Sequence, residues 1–106
     1  MSDHTYESHV LEWNGITLEV RYCPSWADYY EAIYGHPLAH IEVEAITPAR
    51  APLPITETGY RSHFTSAEEI AEAGGPVAFI RAALDSAADD PAWKKREAAA
   101  RQYQLF

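Results

Sequence analysis

His40 and Glu42 fall on one side of a strand-like alternation, and His63 follows in a cluster that also holds Glu57, Tyr60 and Arg61. Imidazole and carboxylate donors can bind zinc or iron, or pass protons as an acid–base pair. His36 would complete a set of three nitrogens with His40 and His63. The spacing does not favour that chemistry. No two histidines show the compact helical separation of an H-E-x-x-H site, and His40-x-Glu42 guarantees only a shared face. Ser62 and His63 are neighbours in sequence, whereas a catalytic serine needs its base beside it in space. No G-x-S-x-G elbow is present, and nothing around Cys23 marks a reactive thiolate. The expectation is no catalytic residue and no cofactor or metal. The alternative is a small metal-dependent or acid–base enzyme using His40, Glu42 and His63, with His36, His40 and His63 as ligands.

The same residues suit recognition better. Tyr and Arg are enriched where binding energy concentrates, and Tyr60 and Arg61 follow the hydroxyl-rich turn Thr56-Glu57-Thr58-Gly59. Glu42 and Glu44 share the outward side of the preceding segment. We therefore expect a binding site formed by Glu42, Glu44, Glu57, Tyr60, Arg61 and His63. Pro48, Pro52 and Pro54 prevent a regular helix in this stretch and suit no central strand. Residues 47–65 are accordingly expected to be a long connection, and such connections often carry function.

Two ordered regions must hold that connection. Asn14-Gly15 between 8–13 and 16–22 is a strong hairpin signal, because a type I′ turn needs positive φ at both central positions. A two-residue loop pairs Trp13 with Ile16 and Leu11 with Leu18. Leu11, Trp13, Ile16, Leu18, Val20 and Tyr22 then share one face. Pro24-Ser25 breaks the strand, and Trp26, Tyr29, Tyr30 and Ile33 suggest a short helix over 26–34 with its aromatics in the core. Residues 38–46 alternate as a third strand, Ile41, Val43 and Ala45 inward. After the connection, Ser66 and Glu69 form a capping box, Gly74-Gly75 interrupts, Pro76 opens a second helix, and Asp90-Pro91 starts a third that runs to about Tyr103. The fold class is α+β: a small antiparallel sheet of about three strands (hairpin 8–13/16–22 plus 38–46) packed against three to four helices. Its 106 residues are expected to form one domain, with 1–7 frayed.

Composition excludes several classes. The chain is 47% apolar and 23% charged, as in ordinary globular proteins. Its net charge is −8, which argues against direct nucleic-acid binding, where phosphate contacts dominate affinity. The acidity concentrates before residue 47, with eight carboxylates against Arg21 alone. Such a surface can steer a basic protein partner over a Debye length of roughly 8–10 Å. No apolar run approaches the ~20 residues of a membrane span, the first residues lack signal-peptide character, and Cys23 is alone. A cytoplasmic location is expected. The aromatic content, with three Trp, seven Tyr and three Phe, also admits self-association as a homodimer.

The block His40-Ile-Glu-Val-Glu44, followed by Ala51-Pro-Leu-Pro-Ile-Thr-Glu-Thr-Gly-Tyr-Arg-Ser-His-Phe64, resembles a group of small accessory proteins of bacterial plasmids, conjugative elements and phages. The likeness continues through Gly74-Gly-Pro-Val-Ala78. It implies an accessory role for a mobile element and carries over no catalytic residue. It further implies the kind of task small acidic proteins of such elements perform, blocking a host defence or nucleic-acid-processing complex by binding it.

Overall fold

The computed structural model describes residues 5–103. Alternating apolar and polar residues build β1 (Glu7–Trp13) and β2 (Ile16–Cys23). Asn14 at φ 50° and Gly15 at φ 80° close the expected tight turn between them. Trp13 faces Ile16 and Leu11 faces Leu18, so the turn sets the register for the whole hairpin. β3 (Leu38–Thr47) pairs with β2, and β4 (Tyr60–Ser66) pairs with β3, giving a four-stranded antiparallel sheet in the order β1-β2-β3-β4.

The fourth strand corrects the expectation of an irregular connection over 47–65. Its sequence, Tyr-Arg-Ser-His-Phe-Thr-Ser, has no apolar alternation because it forms an edge whose residues are largely exposed. The chain reaches it through a compact excursion. The Arg50 N–H donates to Ala45 C=O at 2.9 Å, Leu53 and Thr56 form an isolated bridge, and Ala45 N–H donates to Gly59 C=O at 2.8 Å. Gly59 sits at φ 75°, and a Cβ there would lie 2.5 Å from the Arg50 carbonyl carbon. Only glycine fits. Leu53, 1% exposed, anchors the excursion in the core.

α1 (Asp28–Tyr34) starts two residues later than the spacing suggests. Its N-cap is Ala27, without a side-chain cap, and Gly35 in the left-handed region ends it. The expectation that its aromatics are core is also corrected. Tyr29, Ile33 and Tyr34 are 61–67% exposed, because α1 links two adjacent strands at their ends and has no extensive packing partner. Glu7, the last residue of the segment expected to be frayed, opens β1 and pairs with Tyr22, while Tyr6 precedes the strand. Residues 1–4 lie outside the described part.

α2 (Ala67–Glu72), α3 (Pro76–Ala88) and α4 (Pro91–Tyr103) supply the second layer. Ser66 Oγ accepts from the Glu69 N–H at 3.1 Å, and Asp90 Oδ1 accepts from the Ala92 N–H at 2.8 Å. Ile70, Ile80, Leu84 and Trp93 pack on Leu11, Leu18, Val20, Ile41 and Val43. Each fully buried large aliphatic contributes roughly 1.5–3 kcal/mol. The Trp13 indole N–H donates to Asp85 at 2.9 Å, satisfying its polar atom at the edge of this layer. All three helices join the same sheet face. No helix among the described residues is long and apolar enough to cross a membrane.

Candidate functional site

Among the described residues the opposite sheet face has no such helical layer, and the pleat fixes what it displays. Antiparallel register aligns Val10, Glu19, Glu44 and Tyr60 in one row, and Ser8, Arg21, Glu42 and Ser62 in the next. A third row joins Cys23, His40 and Phe64. Glu19 and Glu44 therefore face each other directly, a like-charge pairing that is unfavourable alone. Arg21 resolves it. Its guanidinium bonds Glu19, lies 3.4 Å from Glu44 and is 3.6 Å from Glu42. Arg50 reaches in from the connection to Glu44 at 3.1 Å and lies 5.4 Å over the Tyr60 ring.

Protonation follows this arrangement. A hydrogen bond from Ser8, then one from Arg21, holds the Glu19 carboxyl below its ordinary range. Burial opposes the charge on Arg21, but the hydrogen bond to Glu19 and the field of Glu42 outweigh it and raise its pKa. The Tyr60 hydroxyl donates to Glu42 Oε2 at 2.5 Å. That bond, with partial burial, pushes the phenol above its usual value. Four glutamates (Glu12, Glu19, Glu42 and Glu44) share this face with Arg21, and Arg50 reaches it from the side, so it stays net acidic.

The third row ends in an aromatic cluster that sequence reasoning did not identify. His40 stacks on Phe64 with centroids 4.4 Å apart, Trp26 meets Phe64 edge-on at 4.9 Å, and the Tyr6 hydroxyl lies 2.5 Å from His40 Nδ1. Burial, followed by the field of Glu42, raises the Tyr6 phenol. Phe64 remains 46% exposed. The cluster becomes visible only once 60–66 is recognised as a strand, because that pairing brings Phe64 to His40.

The six expected binding residues do not form one site. Glu42, Glu44 and Tyr60 come together on the outward face. Arg61 and His63 alternate to the helix side, where Arg61 donates to the Ile55 carbonyl at 3.0 Å and His63 stacks over Phe79 at 6.4 Å. They border a cleft of about 150 Å3 whose apolar walls include Ile55, Phe79 and Ala83. Glu57 stands apart, bonded to Arg96 of α4 at 2.8 Å. Leu53, outside this set, is what anchors the connection in the core.

The alternative ligand set of His36, His40 and His63 is not assembled. His40 pairs with Phe64 and Ile41 with His63, so the two imidazoles leave the sheet on opposite faces. Among the described residues, no group of three or more His, Cys, Asp or Glu is placed to hold a metal. The acid–base alternative on His40, Glu42 and His63 fails for the same reason.

Residues 6–93 match the family described as the KlcB third domain. The chain belongs to that family. KlcB is a plasmid-encoded protein, so membership agrees with the likeness to plasmid accessory proteins carried by the His40–Phe64 block. The matched span runs from Tyr6 through all four strands to Trp93, and therefore takes in the outward face, its aromatic cluster and the cleft. No curated protein and no solved structure matches the chain.

Proposed function

We propose that the chain is a plasmid accessory protein that acts by binding a partner protein through the outward face of its sheet. The observation that carries this reading is the carboxylate group Glu19, Glu42 and Glu44 around Arg21, on the sheet face opposite α2, α3 and α4. Exposed Val10, Ile46 and Phe64 rim the same face, and apolar groups beside ordered charges are what a specific interface needs. The partner presents a basic surface. Inhibition of a host defence or nucleic-acid-processing complex, by occupying its nucleic-acid site, is the concrete form we favour, since occupancy alone suffices.

The test is retention of a partner from the native host at low and high salt. Glu42→Gln/Glu44→Gln keeps side-chain shape and removes two charges. Loss of retention in this variant and in high salt supports the reading; retention indifferent to both contradicts it.

A further inference from the structure

We infer that the free edge of β4 and the adjoining Arg61–His63 cleft form a second docking site, one that takes an extended acidic–apolar peptide by strand addition. Among the described residues β4 is an edge strand, pairing with β3 alone. The Ala45 N–H bonds the Gly59 carbonyl, so the alternation of an antiparallel ladder turns the backbone groups of Arg61 and His63 toward β3 and those of Tyr60, Ser62 and Phe64 away. The Tyr60 carbonyl is already occupied, accepting from the Thr56 and Thr58 hydroxyls at 2.9 and 3.1 Å. Among the described residues, that leaves the N–H and C=O groups of Ser62 and Phe64 as the open stretch of the edge.

Natural sheets usually blunt such an edge with lysine, proline, a bulge or an inward-pointing charge. Tyr60–Ser66 has no lysine, proline or bulge, and Arg61 is its one inward-pointing charge. Its one formal charge, Arg61, is held by a carbonyl, whereas Arg21, Arg50 and Arg96 all meet carboxylates. Arg61 therefore has charge to offer.

Charge complementarity and size identify the occupant. The chain carries −8, yet the cleft beside this edge has Arg61 and His63 as its polar lining and no carboxylate among its lining residues. At about 150 Å3 it admits one aliphatic side chain, well below the roughly 300–1,000 Å3 of pockets for whole small molecules. Side chains two residues apart on an added strand would reach the same side. One would enter between Ile55, Phe79 and Ala83, and the other, a carboxylate, would meet Arg61. This site lies on the face opposite Glu42 and Glu44 and does not depend on the function proposed above.

The experiment is titration of 15N-labelled protein with the capped peptide Thr-Val-Thr-Glu-Thr, whose valine and carboxylate lie two residues apart on one side, its lysine counterpart Thr-Val-Thr-Lys-Thr, and free hexanoate. The expected result is saturable shifts at the Ser62 and Phe64 amides with the acidic peptide alone. Arg61→Glu should weaken that binding about ten-fold, the sum of a lost attraction and a new repulsion, and favour the lysine peptide. Ser62→Pro removes an edge donor, and Ala83→Trp fills the cleft; each should abolish the shifts. Arg61→Glu changes an exposed side chain, so it tests the site even where the other two variants fold poorly. Any of three results overturns the proposal: shifts confined to the Glu42 and Glu44 amides, hexanoate binding as tightly as the peptide, or a dimer by sedimentation that Ser62→Pro dissolves. The last would assign the edge to a second copy of this chain.

Discussion

The Tyr60 hydroxyl reaches diagonally across the β3–β4 pair to Glu42, whose direct strand partner is Ser62, and donates a 2.5 Å hydrogen bond to its carboxylate. It ties the edge strand to the charge group that Arg21 organises at the centre of the sheet. Because the phenol gives its proton to a bond that exists only in the fold, its pKa is raised from 10.0. The folded state thus holds this proton more tightly than the unfolded state does. Stability from Tyr60 is fully present below about pH 10 and is lost as pH rises through the folded value. Tyr60→Phe should cost about 1 kcal/mol at pH 7 and should flatten the alkaline fall in stability. Denaturant unfolding at pH 7 and pH 10.5 checks both.

Arg21 carries the larger load, since three carboxylates depend on it. Arg21→Ala strips Glu19 and Glu42 of this counter-charge, leaves Arg50 on Glu44, and should destabilise by about 1–3 kcal/mol at neutral pH. Glu19 titrates below its ordinary 4.5 in the fold. Its contribution is therefore present above pH 4.5 and disappears as pH falls through the lower folded value. The cost of Arg21→Ala should shrink over the same interval. Parallel unfolding curves at pH 7 and pH 3.5 measure that difference.

The excursion before β4 is set by two residues that can be tested separately. Gly59→Ala places a Cβ against the Arg50 backbone at positive φ and should cost about 1–3 kcal/mol. Leu53→Ala removes a side chain that is 1% exposed and should cost about 2–5 kcal/mol. The two should differ in where protection is lost. Amide exchange should open Ala45 and the start of β4 in Gly59→Ala, and the core beneath the excursion in Leu53→Ala.

The elements with a clear apolar period were legible in the sequence. The hairpin register followed from Asn14-Gly15, and the inward set Ile41, Val43 and Ala45 followed from strict alternation. Ser66, Pro76 and Asp90 marked the helix starts. β4 escaped because an exposed edge strand needs no apolar face, so its residue types carried no period. That omission also hid the site. Without β4 there was no register to show that Tyr60 joins Glu42, that Phe64 joins His40, or that Arg61 and His63 turn away from both. α1 misled for the converse reason: its helical aromatic spacing is real, but no extensive apolar surface meets it, and Tyr29, Ile33 and Tyr34 stay exposed. Arg21 stood in plain view as the lone base of the first 46 residues, and its role emerged only when three strands brought Glu19, Glu42 and Glu44 around it.

The measurement that tests the account most directly is partner retention by the wild type, by Glu42→Gln/Glu44→Gln and by Arg61→Glu, each at low and high salt. The expected result is a partner held by the wild type and by Arg61→Glu at low salt, released by high salt, and not held by Glu42→Gln/Glu44→Gln. Equal retention by all three proteins at both salt concentrations would contradict it.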